Sequence, residues 1–372
     1  MKNILLFFLL LTIVVTTGAW IRHGGGDPYP DLSTTPLLNS TELEEVLAYS
    51  EPIGNVAVSA DGRIFFTVHP ESRPKGNRLL EYVDGASLPY PNVESQLELF
   101  DTVLGVVIDQ KNRLWTIDHG NHGLRDARLL GFDLETGAVL RDQTFTPEIA
   151  PIGSFLQDLQ VSADGRTMII ADASFWRKRP SLIVYDIETG SARRLLETDS
   201  SVSAEDFKIR SQDHEMSFFG GVFSLRGGVD GIALGPEWLY FGALSGSGLY
   251  RVRLTELLNE GLPDAQLSAR VERVATKPLS DGFSVDNDGN VYVTDVEHGS
   301  IFVVDSSGTA MTLIQSNQIR WPDALSFGPE GWLYIADSAL PELVLQSRDH
   351  IQSQKPYKIF RFKPGTDGTP GQ

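Results

Sequence analysis

Cysteine is absent from this sequence of 372 residues. Its absence excludes a disulfide scaffold, a thiol nucleophile, a thiolate metal site and a lipid-modified cysteine anchor. Positive charge is also scarce, because 31 Lys and Arg residues stand against 49 Asp and Glu, which gives a formal net charge of -18. This balance disfavours a nucleic-acid or anionic membrane partner and favours solubility or a cationic ligand.

A long apolar run occurs at the N-terminus. The apolar stretch Ile4–Val15 follows Met1-Lys2-Asn3 and precedes the small residues Thr17-Gly18-Ala19, which a signal peptidase favours. The pattern predicts a signal peptide over residues 1–19 and a secreted or periplasmic protein. An uncleaved membrane anchor is the alternative, because Ile4–Trp20 is near the lower limit for spanning a bilayer.

The next segment, residues 20–41, is rich in Gly, Pro, Ser and Thr and is predicted to be a linker. Ser40 or Thr41 is expected to cap a short helix over Glu42–Tyr49. Residues 42–363 then hold a repeated motif, and residues 364–372 form a C-terminal tail.

The motif consists of two apolar strands around a tight turn. Its best-formed copy is Asp281–Asp295, in which Asp288-Gly289 tolerates the positive φ angles of a hairpin. The copies begin at Gly54, Leu104, Gln157, Asp230, Asp281 and Asp323. At spacings of roughly 40–70 residues, each copy has room for four short strands. The sequence therefore predicts an all-β chain that forms one six-bladed β-propeller over residues 42–363.

Two insertions interrupt the repeats. Residues 200–228 are expected to form a mobile or separately packed excursion over one face. Residues 340–356 separate the sixth hairpin from the predicted strand Tyr357–Phe362. The sixth copy then lacks one strand, so residues before the first repeat are expected to complete the ring.

In each copy the first strand is the innermost one, and it runs antiparallel to the second strand. All six innermost strands therefore begin at the same face of the ring, so the first residue of each copy should lie at one mouth of the central channel. This column contains Gln157, Asp230, Asp281 and Asp323. At ~6 Å and an effective dielectric near 20, each pair of carboxylates repels by roughly 3 kcal/mol. A divalent cation with oxygen ligands, calcium first, would remove this penalty. Hydrogen bonds to neighbouring blades are the alternative role for these aspartates.

A second set of carboxylates ends the second strand of four blades and consists of Asp118, Asp172, Asp295 and Asp337. Their recurrence favours a structural role, whereas the variable loops after them are typical of ligand recognition. His119 and His298 are candidate proton-transfer groups, together with Asp281. The candidate ligand-binding residues are Asp118, His122, Phe175, Trp176, Glu297 and Trp321. Aromatic walls with an acidic floor would suit a cationic or catechol-like amine.

Several sequence segments, including Ser280–Val285, Tyr292–His298 and Arg320–Tyr334, resemble the major royal jelly protein/yellow family. The resemblance covers roughly residues 42–363, and the absence of cysteine suggests a bacterial member. The repeats also look like those of the wider regucalcin/gluconolactonase superfamily. Both groups are six-bladed propellers, so the resemblance implies the same fold.

The resemblance to gluconolactonases also has implications for a metal. In those relatives the column supplies Asn and Asp ligands to a divalent cation, and Gln157, Asp230 and Asp281 match the ligand positions. The sequence departs from that pattern, because Gln and Asp replace Asn at 157 and 230 and the first copy offers no glutamate ligand.

Two functional hypotheses follow. The first is a secreted, monomeric propeller that binds and converts a small molecule at its axial mouth. The reaction would be metal-assisted lactone or ester hydrolysis, or a yellow-type dopachrome tautomerisation. The second is a non-catalytic extracellular protein that binds an amine-like ligand. Membrane association is expected only if the N-terminal segment is not cleaved, and the sequence contains no nucleophile elbow, phosphate loop or dinucleotide fingerprint.

Overall fold

Six four-stranded antiparallel sheets are present in the computed structural model, which describes residues 2–372. In five of these sheets the strands follow chain order, so each is a four-stranded meander. An apolar cluster fills the space between each pair of neighbouring blades. The arrangement is the six-bladed β-propeller that the repeats predict. Met1, the first residue of the predicted signal peptide, lies outside the described residues.

The strands of the first three blades are as follows. Blade one contains Ile53–Val58, Ile64–Val68, Leu79–Val83 and Ala86–Pro89. Blade two contains Val103–Ile108, Arg113–Asp118, Arg128–Asp133 and Val139–Thr144. Blade three contains Leu156–Val161, Thr167–Asp172, Ser181–Asp186 and Ala192–Leu195.

The remaining three blades have the following strands. Blade four contains Val229–Leu234, Trp238–Ala243, Gly248–Arg253 and Glu272–Thr276. Blade five contains Phe283–Val285, Val291–Asp295, Ser300–Val304 and Ala310–Gln315. Blade six contains Pro322–Phe327, Leu333–Asp337, Tyr357–Phe362 and Glu44–Tyr49.

The N-terminal strand Glu44–Tyr49 closes the ring by pairing with Tyr357–Phe362 of the last blade. This pairing confirms that residues before the first repeat supply the missing strand. The expected helix over Glu42–Tyr49 is wrong. Only Ser40–Glu42 forms a short 3-10 turn, and Asn39 caps it instead of Ser40 or Thr41. Pairing with the open edge of blade six and burial of Leu47 favour the extended conformation.

Helices are few and short, apart from the first. The α-helices are Lys2–His23, Ser95–Glu98, Gly120–Gly123, Leu254–Leu257, Asp264–Ser268 and Arg348–Ser353. The 3-10 helices are Ser40–Glu42, Pro70–Ser72, Pro329–Gly331 and Leu340–Glu342. Within the first helix, Asn3–His23 is long and apolar enough to cross a membrane, and its side chains are almost all exposed.

Most of the segment predicted to be a linker packs against the propeller. Leu37 and Leu38 donate backbone hydrogen bonds to the outermost strand of blade five, at Thr312 and Leu313. The Tyr29 hydroxyl donates to the backbone oxygen of Lys277 at 2.7 Å. Backbone and side-chain partners along blades four and five therefore hold this part of the predicted linker against the propeller.

The insertion at residues 200–228 forms short two-stranded ribbons over the mouth face. Arg210–Ser211 pairs with His214–Glu215, and Ser217–Phe218 pairs with Phe223–Ser224. The Glu297 carboxylate accepts the backbone N–H of Arg210 at 2.7 Å and ties the insertion to blade five. Ile209 and Met216 of this segment are buried in the apolar cluster between blades one and six. The segment therefore lies over one face, and it is packed into the propeller core and not separately from it.

The C-terminal tail crosses the opposite end of the channel. The carbonyl of Gly371 accepts from the backbone of Ile108 in blade two at 3.0 Å, and the side chain of Gln372 donates to Val161 in blade three at 2.9 Å. Phe327 of blade six donates its backbone N–H to Gln372 at 2.9 Å. The Ser284 hydroxyl of blade five also donates to the backbone oxygen of Gln372, at 3.1 Å. The tail therefore bridges four blades and covers the far end of the channel.

Candidate functional site

A cavity of ≈ 280 Å³ opens at the channel mouth formed by the ends of the second strands. Its floor contains the residues that begin the innermost strands, namely Leu104, Gln157, Asp230, Asp281 and Asp323. The column predicted from the repeat register is therefore brought together at one end of the ring.

Irregularities at the start of the innermost strands help to place these side chains. The strand register shifts between Leu156 and Asp158, between Val229 and Ile232, and between Pro322 and Ala324. A bulge of this kind takes a residue out of the regular ladder and redirects its side chain. Gln157, Asp230 and Asp323 occupy these bulges, so the same local device presents each of them to the channel.

The carboxyl groups of the floor are buried, and their pKa values are raised. Burial raises the pKa of Asp230 well above its usual range, and the charges of Asp281, Asp323 and Asp158 raise it further. Burial also raises the pKa of Asp281 to about 7. The indole N–H of Trp321, which donates to Asp281 Oδ2 at 2.6 Å, acts in the opposite direction and lowers this pKa. The pKa of Asp323 is raised in the same way by burial and by the charge of Asp281.

Two oxygen atoms of this floor, Oδ1 of Asp230 and Oδ2 of Asp323, have no hydrogen-bond partner among residues 2–372. Oxygen atoms of this kind are chemically suited to calcium. Their arrangement is not suited to it, because within the described chain no three His, Asp or Glu side chains lie close enough together to hold a metal ion. The predicted set of Gln157, Asp230, Asp281 and Asp323 shares one floor but does not fit a metal in this arrangement.

The walls of the cavity are mainly apolar and aromatic. Phe155, Phe175 and Trp176 come from the loops of blade three. Phe175 and Trp176 are two of the residues that the sequence predicts for this cavity. The insertion at 200–228 adds Phe218, Phe219 and Phe223, and the insertion after blade six adds Leu340, Val344 and Leu345. The rings of Phe175 and Trp176 pack edge to face at 4.7 Å, and Trp176 packs against Phe223 at 5.7 Å.

One side of the wall carries polar groups from blades one and two. His122 Nε2 lies 2.6 Å from Glu71 Oε1, and the His122 ring stacks on Phe155 at 4.7 Å. Although burial acts to raise it, the hydrogen bond and charge of His122 lower the pKa of Glu71 to about 2. Glu71 is therefore an ionised partner that fixes the ring of His122.

His69 lies between this pair and the floor. Burial lowers its pKa to about 4, so the imidazole is neutral at pH 7. Its Nδ1 accepts the backbone N–H of Glu71 at 3.2 Å, which leaves the proton on Nε2. That Nε2 lies 3.6 Å from Oδ2 of Asp323. His69 is thus positioned to hydrogen-bond the floor after a small movement.

The predicted pair of histidines is not brought together. His119 is buried against Phe155 and its Nδ1 accepts the backbone N–H of His122, so it caps a turn and does not line the cavity. His298 belongs to blade five, on the opposite side of the ring, and lies 2.9 Å from Asp295. That hydrogen bond raises the pKa of His298 to about 9. The two histidines predicted as proton-transfer groups therefore do not share one site in this structure.

Three predicted ligand-binding residues have structural roles instead. Asp118 accepts hydrogen bonds from the backbone of Asp101, Thr102 and Gly120, at 2.6 to 3.0 Å. Glu297 holds the insertion, as described above. Trp321 is fully buried and supports Asp281 from behind the floor. The four carboxylates that end the second strands, Asp118, Asp172, Asp295 and Asp337, each accept backbone N–H groups of neighbouring loops. These bonds agree with the structural role that their recurrence favours.

Sequence reasoning missed His69, Glu71 and Lys277. His69 directly follows the second strand of blade one, at the position equivalent to His119, and this register was a usable signal. Lys277 precedes Asp281 by four residues in a segment with no repeat to mark it. Its burial beside acidic groups depends on the packing of blade four against blade five, which sequence spacing does not reveal.

The six blades and the cavity at one mouth define a β-propeller with an axial pocket. Residues 101–361 match the model of the family described as "Major royal jelly protein". The chain belongs to this family, as its repeated segments predict. No curated protein matches the chain in sequence.

Solved structures share the fold at low sequence identity. A luciferin-regenerating enzyme is 12% identical with a TM-score of 0.58, and the match covers 88% of this chain and 97% of that one. A gluconolactonase from Xanthomonas campestris is 15% identical with a TM-score of 0.53, over 86% and 88% of the two chains. A calcium-binding protein, regucalcin, from Agrobacterium tumefaciens is 14% identical with a TM-score of 0.53, over 88% and 93%. These likenesses concern the fold alone.

Proposed function

We propose that the protein binds a small aromatic molecule with an amine group in the axial cavity and moves a proton on it, as a yellow-type tautomerase would. The single observation behind this proposal is the closure of an aromatic wall over a floor of buried carboxyl groups. The helix Lys2–His23, acting as an export signal or as an anchor, would place this reaction outside the cytoplasm.

The wall and the floor select different parts of the ligand. Phe155, Phe175 and Trp176 offer faces and edges to an aromatic ring, which packs on them with favourable quadrupole contacts. The partnerless oxygens of Asp230 and Asp323 offer acceptors to an ammonium group. An ammonium ion on the floor would favour the ionised carboxylates, so binding should release protons from the protein.

Asp281 is the best group for proton transfer in this cavity. Its pKa of about 7 lets it exist in both protonation states near neutral pH, which is the condition for an efficient acid or base. A tautomerisation removes a proton from one atom of the bound molecule and returns a proton to another. It therefore needs no oxidant and no metal. His122, fixed by Glu71, places a second polar side chain at the cavity wall.

Calorimetric titration with dopamine and with a matched catechol alcohol tests the binding half of the proposal. We expect the amine to bind at least tenfold more tightly than the alcohol and to release a proton, seen as an enthalpy that depends on the ionisation enthalpy of the buffer. The variant Asp281→Asn should lose most of this preference. The control Asp288→Asn, at an exposed turn of the far face, should keep it.

Dopachrome turnover tests the catalytic half. Loss of turnover in Asp281→Asn, with retained turnover in Asp288→Asn, supports the tautomerase. Proton-linked amine binding without any turnover would leave a non-catalytic amine-binding protein. Equal affinity for the amine and the alcohol would contradict both functions.

Metal-assisted hydrolysis of a lactone or ester is the second candidate. The partnerless oxygens of Asp230 and Asp323 favour it, and a gluconolactonase shares the fold. Calcium at this floor would require another arrangement of the carboxylates, because no three of the described His, Asp and Glu side chains are grouped as metal ligands at present. Stoichiometric metal in the purified protein, together with lactone turnover that a chelator abolishes, would support this candidate over the tautomerase.

A further inference from the structure

The N-terminal helix projects from the mouth face of the propeller. The part of it that could cross a membrane, Asn3–His23, has 21 residues, and none of its most apolar window is buried against the protein. At about 1.5 Å per residue this part is about 32 Å long, which matches the roughly 30 Å hydrocarbon thickness of a bilayer. The C-terminal end of the helix contacts the propeller at the strand Phe223–Ser224 and at the neighbouring loop of blade three.

That end is fixed to the rim of the cavity. The guanidinium group of Arg22 donates to the backbone oxygen of Arg177 at 2.8 Å, and Arg226 donates to the backbone oxygen of Gly24 at 2.7 Å. The His23 ring is buried among Phe175, Trp176 and Phe223, with ring centroids 5.5 to 6.2 Å apart. The C-terminal end of the apolar helix therefore contacts the loops that line the cavity directly, without an intervening linker.

Large apolar side chains are exposed on the same face. Trp176, Phe219 and Leu345 line the cavity mouth and remain 43%, 71% and 63% exposed. Leu124 and Ile152, on the adjoining loops of blades two and three, are 70% and 79% exposed. Contiguous exposure of this kind marks an interaction surface.

The backbone holds two of these side chains outward. Phe219 and Leu345 have φ angles of 53° and 59°, a left-handed conformation that is uncommon for large side chains. Such conformations persist where the surrounding structure imposes them, and they cluster at functional surfaces. Two separate insertions thus present an apolar residue at the same rim.

We propose that the helix is retained as a membrane anchor and that the mouth face rests on the lipid bilayer, with the cavity opening at the depth of the headgroups. Because His23 is buried among the rim residues, a helix that crosses the bilayer and ends at His23 would hold the rim loops at the membrane surface. Trp20 and Arg22 would then lie at the interface, where tryptophan and arginine are favoured. The acidic character of the chain does not oppose this contact, because the contact surface is apolar.

The absence of cysteine allows a direct test with single-cysteine variants of the full chain. Phe219→Cys and Leu345→Cys probe the mouth face. Val139→Cys is the matched control, since Val139 is an apolar residue with 45% exposure at the far end of blade two. Each variant is labelled with a fluorophore sensitive to polarity and reconstituted into phosphatidylcholine vesicles that carry a nitroxide on the lipid headgroup. Unchanged melting temperatures confirm that the labelled proteins are folded.

We expect the headgroup nitroxide to quench the labels at 219 and 345 at least threefold more strongly than the label at 139, and aqueous iodide to show the opposite order. Equal quenching by both agents at all three positions would overturn the proposal. The N-terminus gives a second measurement. Recovery from cell membranes with the helix intact is expected, whereas a soluble exported protein that begins near Trp20 would overturn it. Neither result depends on which ligand the cavity takes.

Discussion

Lys277 lies fully buried beside the acidic floor. Its ammonium group donates to the backbone oxygens of Ala243 and Pro278, at 2.8 and 3.1 Å, and to the Ser280 hydroxyl at 2.7 Å. Burial lowers the pKa of Lys277 to about 7, although the charge of Asp230 opposes the shift. The side chain fixes the segment that leads into Asp281, so we regard it as a positioning residue for the floor.

Replacing this residue should therefore destabilise the protein. Lys277→Met leaves three buried acceptors without their donor, and we expect the free energy of unfolding to fall by roughly 1–3 kcal/mol. Denaturant unfolding followed by tryptophan fluorescence measures this change. The exposed Lys75→Met serves as the control and should have little effect. Equal stability of the two variants would show that the ammonium group contributes nothing net.

At the scale of the element, ring closure depends on the strand Glu44–Tyr49. Leu47 is buried and pairs with Ile359, and among the described strands no other covers the outer edge of blade six. We expect Leu47→Ala to lower the free energy of unfolding by about 2–5 kcal/mol, the usual cost of a cavity in a core. Thermal melting measures the loss. Leu37→Ala, at a side chain that is 56% exposed, should change it little. A small effect at Leu47 would mean that the closing strand is dispensable.

The elements also show what the sequence could predict. The blades were predictable because each hairpin carries its own signal, such as Asp288-Gly289 between two apolar strands. The floor was predictable for the same reason, since Gln157, Asp230, Asp281 and Asp323 hold one position in the repeat. Because the motif is repeated, a position identified in one blade can be located in the other blades as well.

The rest of the site could not be predicted in this way. His119 and Trp321 were expected in the cavity, but their side chains are buried behind it, because repeat position fixes where a residue lies along a strand and not where a loop side chain points. Phe219 and Leu345 come from insertions that have no counterpart in other blades. Their positions depend on tertiary contacts with the rim, which periodicity does not encode.

At the scale of the whole molecule, the buried acids make stability depend on pH. The pKa values of Asp158 and Asp281 are raised to about 7 in the folded protein, whereas an aspartate in an unfolded chain has a pKa of about 4. Between these values the folded state binds more protons than the unfolded state. The stabilisation is therefore fully present below pH 4 and is lost as the pH rises through 7.

Comparison with Asp281→Asn isolates this effect from other titrating groups. Relative to the variant, the wild-type protein should lose roughly 1–3 kcal/mol of stability between pH 5 and pH 8. Denaturation curves at both pH values measure the difference. The offset between wild type and Asp288→Asn, by contrast, should not change with pH. A constant offset for Asp281→Asn as well would indicate that this carboxyl group is ionised throughout the range.

The C-terminal tail determines how a ligand can enter and leave the central channel. By bridging blades two, three, five and six, residues 371 and 372 close one end of the central channel and leave it with a single opening. A molecule that enters must leave by the same route, so substrate and product cannot pass one another. Any product would then compete directly with substrate for the cavity. Product release through the one opening would limit the rate of turnover once the chemical step is fast.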